Sequence, residues 1–448
     1  MKLFLRLGLV LFYMAIWTAC GDTFRPVIIP NPPAFPDPRA AHTVFSVNDN
    51  GTASRGSGMV TDVSGDTDVS VADMGIAPVH AVQQSANQIL VVNSPDPNVV
   101  ANAESLTRVI FSGVSISSTS TISLPAGSAP NFVATTESST AYVSLPGFTP
   151  PSVGVVSSNA LVATIPVGNN PVALAETPDG KKLYVANQGS GTVSAINTLD
   201  HSLRIINGAA FNAPVWVSAR TDSQRVFVLN GDGTLTTLDT TAESDTVIQS
   251  GLNVGAGKYM VYDVRLNRLY IPSGSQVTIV NVAPSLPQIL ATIAITAISP
   301  SVRSAQDPCS TTAAAPLSVV AAAALPDETR AYVGAYYTDS AGNICPQVTV
   351  INTSGNTIKA SSPVPGFPGF APYSAPICQT TNFRLSMAAG GDSSRVYLAS
   401  CDAGIVNIIR TSDDTYLLNL PEPASARPPI PPSNQPPPQS PVFLIAGP

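Results

Sequence analysis

The chain is short of charge, of histidine and of long apolar runs. Only 11% of its 448 residues are charged and three are histidine. Its 21 Lys+Arg fall below its 28 Asp+Glu, for a formal net charge of −7, so the concentrated positive charge that a phosphate backbone needs is missing. Nucleic acid is excluded as a partner on that ground. Beyond residue 19 no apolar run approaches the ~20 residues of a membrane-spanning helix. Catalytic signatures are also missing: there is no G-x-S-x-G elbow, no P-loop, no C-x-x-C-H haem site and no Cys/His zinc spacing. His42, His80 and His201 lie far apart in sequence, and the densest acidic group, Asp62, Asp66, Asp68 and Asp73, lacks the alternation of a calcium loop and reads as a solvated turn. Asp232, within Asn230-Gly231-Asp232-Gly233, reads as a hairpin residue. Neither a metal nor a cofactor is expected. With 44% apolar residues, wholesale disorder is excluded too.

What is present begins with an address. Lys2 and Arg6 precede an apolar stretch, Leu7 to Trp17, which ends in Thr18, Ala19 and Cys20. The stretch is too short to span a membrane and has the layout of an export signal. It resembles a bacterial lipoprotein signal, which implies removal of residues 1–19 and lipid on Cys20. Trp17 stands where such signals usually carry Leu, and Gly21 replaces the Asp that would retain the product at an inner membrane. Residues 20–41 follow as a stalk, with Pro26, Pro30, Pro32, Pro33, Pro36 and Pro38 favouring extended polyproline II. The expected location is the cell envelope, at the outer membrane or cell surface.

From residue 42 short bursts of β-formers alternate with Gly, Pro, Asn and Asp, and no helical period is sustained. In the clearest unit, strands are predicted at Val172–Glu176, Lys182–Asn187, Thr192–Asn197 and Leu203–Ile206. The large residue of the second strand recurs as Phe45, Leu90, Tyr142, Tyr184, Phe227, Tyr270, Tyr332 and Tyr397, at intervals of 45, 52, 42, 43, 43, 62 and 65. Four strands per period in the low forties is a propeller spacing. The expected fold is therefore all-β: a β-propeller of four-stranded antiparallel blades over residues 42–420, eight by count. Tyr184-Val185-Ala186-Asn187, with Pro178-Asp179-Gly180-Lys181 and Thr164-Ile165-Pro166-Val167-Gly168 before it, resembles the YVTN-family β-propeller repeat. That resemblance usually implies seven blades, so seven or eight stay open. It says little about activity, because propellers host unrelated functions.

The first unit lacks an inner strand. The apolar segment Val442–Ala446, which follows the Pro-rich run of residues 421–441, is a candidate to supply it and close the ring; a disordered tail is the alternative. Cys309 and Cys378 each fall in the link before an inner strand, and Cys345 and Cys401 each fall after the second strand of the same unit. That equivalence predicts disulfides Cys309–Cys345 and Cys378–Cys401. The long insertions, residues 94–106, 296–316, 338–347 and 360–382, all map to the same end of the ring, and Tyr336, Tyr337, Phe367, Phe370 and Tyr373 lie in or beside them. Loops on a rigid scaffold are where binding usually occurs, and these aromatics mark a candidate binding face; the alternative is that they pack over the blade edge. The expected function is a lipid-anchored, monomeric binding or scaffolding module in the envelope, without catalysis. Its expected partners are the membrane, through Cys20, and an envelope protein or polysaccharide. The alternative is a propeller enzyme of lactonase or lyase type, with its site at the central channel and no linear motif.

Overall fold

The structure, a computed structural model, describes residues 43–446 except 137–138, 207–209, 242–244, 310–312, 314, 369–375, 382 and 430–433. The signal segment, Cys20, the stalk and His42 lie outside these residues. Eight antiparallel sheets, each a path of four strands and one with a short fifth strand at its side, form the blades of a β-propeller, so the count of second strands holds. Strands are named A to D from the axis outward. Blade 4, the clearest repeat, comprises Pro171–Glu176, Lys182–Asn187, Thr192–Asn197 and Leu203–Ile206. Blade 1 closes the ring: Ser440–Ala446 is its A strand and pairs antiparallel with Thr43–Asp49, followed by Arg55–Asp62 and Thr67–Ile76.

Position in the blade explains the composition of each strand. B strands such as Lys182–Asn187 and Arg225–Asn230 are buried from their second residue to their last. Blades cover both their faces, so they read as continuous apolar runs instead of alternating ones. The D strand of blade 2, Ser115–Ser123, is almost wholly exposed and is written in Ser and Thr. Expected loop 338–347 is instead strand. In blade 7 the B strand Arg330–Thr338 and C strand Asn343–Asn352 are extended and paired out to Thr338↔Ile344, which leaves a four-residue turn.

Two recurrent polar devices account for the repeat motif. The first joins blades. Lys182 Nζ and Tyr184 OH both reach Asp245 Oδ1 in the C–D turn of blade 5, each at 2.7 Å. In the same way Arg330 and Tyr332 of blade 7 reach Asp414, and Arg395 of blade 8 reaches Asp66 at 2.9 Å. Arg268 of blade 6 reaches Asn356 at 3.1 Å. Each acceptor has a positive φ, 50° at Asp66 and 60° at Asp414, a backbone state that Asp and Asn tolerate better than most residues. The acidic turn around Asp66 is thus a blade-to-blade latch, not merely a solvated turn. The second device works within a blade. The last Asn of the B strand clips hydroxyls of the C strand: Asn93 to Thr107 at 2.9 Å, Asn187 to Ser194 at 2.9 Å and Asn230 to Thr236 at 3.1 Å. The Tyr and the Asn of the YVTN-like string are therefore both structural.

Asp414 carries the most heavily loaded latch, because Lys359 Nζ joins Arg330 and Tyr332 there at 2.6 Å while the carboxylate itself is 2% exposed. Asp414→Ala leaves two cations and a phenol facing an emptied buried site, and is expected to cost about 3–5 kcal/mol. Denaturant unfolding checks this; a loss under ~1 kcal/mol, typical of a surface ion pair, would contradict it.

Candidate binding face at the channel mouth

A strands of neighbouring blades touch around the axis, and the D-to-A links and B–C turns lie at one end of the ring, here called the link face. Several A strands start alike: Pro78-Val79-His80, Pro171-Val172-Ala173, Pro214-Val215-Trp216 and Pro441-Val442-Phe443. In blades 2, 4 and 5 the pairing skips the Val, with Pro78↔Asn93 followed by His80↔Val92, Pro171↔Asn187 by Ala173↔Ala186, and Pro214↔Asn230 by Trp216↔Leu229. Such a bulge re-aims the residue that follows it.

The rings of these positions meet at the axis. His80 stacks on Phe132 at 3.9 Å, Phe132 meets Trp216 edge-on at 5.2 Å, and Trp216 meets Tyr259 at 5.8 Å. Tyr259 meets Phe383 at 5.4 Å, Phe383 meets Phe443 at 4.8 Å, and Phe443 returns to His80 at 4.7 Å. Phe383 also lies 6.2 Å from Trp216, so the circuit is a filled aromatic plug at the link-face end of the channel. Burial lowers the pKa of His80 to about 3, and its Nδ1 accepts only a long 3.5 Å bond from the Val133 amide. It is neutral at physiological pH and cannot shuttle protons there. Burial raises the pKa of Tyr259, outweighing the opposite effect of the Ala322 amide, whose hydrogen bond its OH accepts at 3.2 Å. His80, Phe132, Tyr259 and Phe383 are buried against one another, Trp216 and Phe443 stay partly exposed, and the six side chains contain no acid–base pair.

Both disulfides form as expected and flank this face: Cys309–Cys345 and Cys378–Cys401 have Cα separations of 5.8 and 5.6 Å. Among the described residues, the one cluster of three potential metal-ligating side chains is Cys309, Asp339 and Cys345. Its sulfurs are spent in the bridge, and Asp339 accepts the amides of Ala341 and Asn343 at 3.0 and 2.8 Å. Arg303 ties two links to blade 7, donating to Asp307 at 3.0 Å, to the Val364 carbonyl at 2.9 Å and to the Pro346 carbonyl at 2.9 Å. Phe383 arrives on the second of these links, after the short helix Pro376–Thr380 that carries Cys378.

The aromatics singled out from sequence pack more than they project. Tyr337 is 1% exposed beneath the Arg303 guanidinium, and Phe367 is buried in a two-residue strand against Ile344. Tyr336 is half-buried under Arg384, whose guanidinium is held by Asp402 at 2.7 and 3.0 Å. These three stiffen the platform; Phe370 and Tyr373 lie outside the described residues. The axial rings were missed by sequence reasoning because each comes from a different blade or link. The recurring Pro-Val before His80, Trp216 and Phe443 was the signal that could have aligned three of them.

No family model and no curated protein matches the sequence. Solved structures do match its fold. AztD from Citrobacter koseri is 11% identical with a TM-score of 0.55, over 90% of this chain and 97% of that one. The dihydro-heme d1 dehydrogenase NirN, solved in complex with DHE, is 11% identical with a TM-score of 0.57, over 93% of this chain and 77% of that one. A protein of unknown function from Desulfotomaculum acetoxidans is 14% identical with a TM-score of 0.50, over 71% of this chain and 95% of that one. The likeness is one of fold. At these identities it assigns no ligand and no reaction.

Proposed function

We propose that the chain is an extracytoplasmic propeller of YVTN type, tethered to a membrane by lipid on Cys20, that binds an envelope protein or polysaccharide through its link face and turns over no bond. The observation that carries this reading is the aromatic plug. Propeller hydrolysis at the axis needs a group to activate water, whereas here the mouth is filled by aromatic rings, with the Tyr259 hydroxyl taken up by the Ala322 amide and the His80 imidazole made too weak a base by burial. Two disulfides suit an oxidising compartment, in keeping with export. Arg303, Arg384 and the bridges hold the surrounding links rigid, which lowers the ordering cost of binding.

The test pairs a binding assay with a turnover assay. The purified chain is expected to capture one reproducible envelope protein or polysaccharide, and to hydrolyse none of a panel of five- and six-membered lactones above background. Lactone turnover that survives purification and is lost on substitution at the channel mouth would replace this reading with the enzymatic one.

A further inference from the structure

The link face is uneven. The B–C turn of blade 2 runs 11 residues, 94–104, and the links into blades 7 and 1 run 23 and 18 residues, 295–317 and 422–439. Blades 4 and 5 carry short loops instead, the link 167–170 and the turns 188–191 and 231–233. Short loops beside long ones leave an open sector, and its inner end is Trp216, one of the two plug rings that stay partly exposed.

The side chains of this sector are amides and hydroxyls that hold one another in place. Asn170 Nδ2 donates to Gln188 Oε1 at 3.0 Å, the Asn169 amide to Ser190 Oγ at 3.1 Å, and Asn212 Nδ2 to Asp232 Oδ2 at 3.1 Å. The two groups adjoin, since a Cβ on Gly191 would lie 3.7 Å from the Phe211 carbonyl oxygen, next to Asn212. Among the described residues no further hydrogen bond engages Gln188 Nε2, Asn170 Oδ1 or Asn212 Oδ1, which leaves one donor and two acceptors in fixed positions. No Lys or Arg occurs in loops 167–170, 188–191, 207–213 and 231–233, and Asp232 is their one charge. The large apolar side chains exposed among the link-face loops lie elsewhere, Val99 on blade 2 and Val302 in the link into blade 7.

We propose that this sector binds a neutral polysaccharide, with one sugar ring against Trp216 and the hydroxyls of its neighbours on Asn170, Gln188, Asn212 and Asp232. Sugar hydroxyls both donate and accept, which matches a mixed set of amides and one carboxylate. The C–H face of a sugar suits the electron-rich face of an indole. Asp232, with no cation beside it, disfavours an acidic polymer by like charge. A protein partner would need an apolar or Arg-anchored centre, and these loops supply neither. Amides already bonded to each other lose little freedom when a ligand arrives. The inference rests on the reading of the link face as a binding surface, and chooses between the two partner classes named for it.

Trp17 lies in the segment expected to be removed, so Trp216 is the one tryptophan of the processed chain and its emission reports on this sector. The chain without residues 1–19 is titrated with neutral hexasaccharides of glucose, mannose, galactose and N-acetylglucosamine, and with the acidic hexamer of galacturonate. A saturable change in tryptophan emission is expected with at least one neutral hexamer, and binding about tenfold weaker with the acidic one. Asn170→Ala and Asn212→Ala, both at exposed positions, are each expected to weaken that binding about fivefold and to leave the thermal midpoint unchanged. Absence of saturable binding across the panel, equal affinity for the acidic hexamer, or unchanged affinity in both variants would each overturn the assignment. If the panel fails while an envelope protein is captured reproducibly, the polysaccharide assignment falls alone; if capture fails as well, the binding-face reading falls with it.

Discussion

Removing residues 421–448 lowers the thermal midpoint by on the order of 10 °C, or abolishes the cooperative transition. The deletion takes away the A strand of blade 1, Ser440–Ala446, and exposes the paired edge of Thr43–Asp49. Val442 and Leu444 are 1% and 4% exposed, and burying two such side chains contributes roughly 3–6 kcal/mol. Phe443 leaves the aromatic plug at the same time. Against a net stability of about 5–15 kcal/mol, that loss takes a large share, and a chain of this size shifts by roughly 1–2 °C per kcal/mol, to which the loss of Phe443 and of ring closure adds. Leu444→Ala separates packing from chain length, with an expected cost of about 2–5 kcal/mol. Calorimetry on the truncated chain decides the matter: an unchanged midpoint would mean that the strand closes nothing, and a freshly exposed edge should also show as concentration-dependent aggregation.

The second large effect lies at the same seam and depends on pH. Glu422 follows the last strand of blade 8 and is buried against blade 1, where Asn48 Nδ2 and Ser46 Oγ donate to its Oε2 at 2.6 and 3.2 Å. Its Oε1 has no partner. Burial, with a smaller contribution from the Asp68 charge, raises its pKa from the usual 4.5 to about 8, opposed by the two donors. As pH rises from 4.5 the unfolded chain gives up this proton first, so the folded state binds more protons throughout the window and stability falls until about pH 8. The slope approaches about 1.4 kcal/mol per pH unit, amounting to several kcal/mol over the whole range. Glu422→Gln, which keeps the shape and cannot ionise, should flatten that slope and leave the variant more stable than the parent at pH 8. Glu176, pushed up to about 6 mainly by burial, adds a smaller fall of the same sign in both proteins, so the difference between them isolates Glu422. Parallel pH profiles for parent and variant would contradict the argument.

Strand position and order were legible because they follow from backbone chemistry repeated along the chain. Lys182–Asn187 and Thr192–Asn197 fall where turn residues and β-formers place them. Cysteine pairing was legible for the same reason, since Cys309 and Cys378 occupy equivalent links and Cys345 and Cys401 equivalent turns. Other features depend on contacts between units, which no single repeat encodes. Asp66 reads as a solvated turn residue until blade 8 brings Arg395 to it across the ring closure. Tyr337 sits next to an apparent insertion, but Arg303, from the preceding link, covers it. The plug is the extreme case, since Phe132 and Phe383 are ordinary residues at the ends of links until the ring assembles them.

The proposed function places recognition on the link face, around an axis closed by aromatic rings. Site-specific photo-crosslinking tests it most directly. One probe replaces Ala256, exposed on the link face in the link into blade 6, and a second replaces Lys181, 68% exposed on the opposite A–B turn face. Incubated with envelope extract, the position-256 probe is expected to yield a discrete crosslinked species and the position-181 probe none. A discrete species from position 181, with nothing from position 256, would place recognition on the other side of the ring and contradict the account.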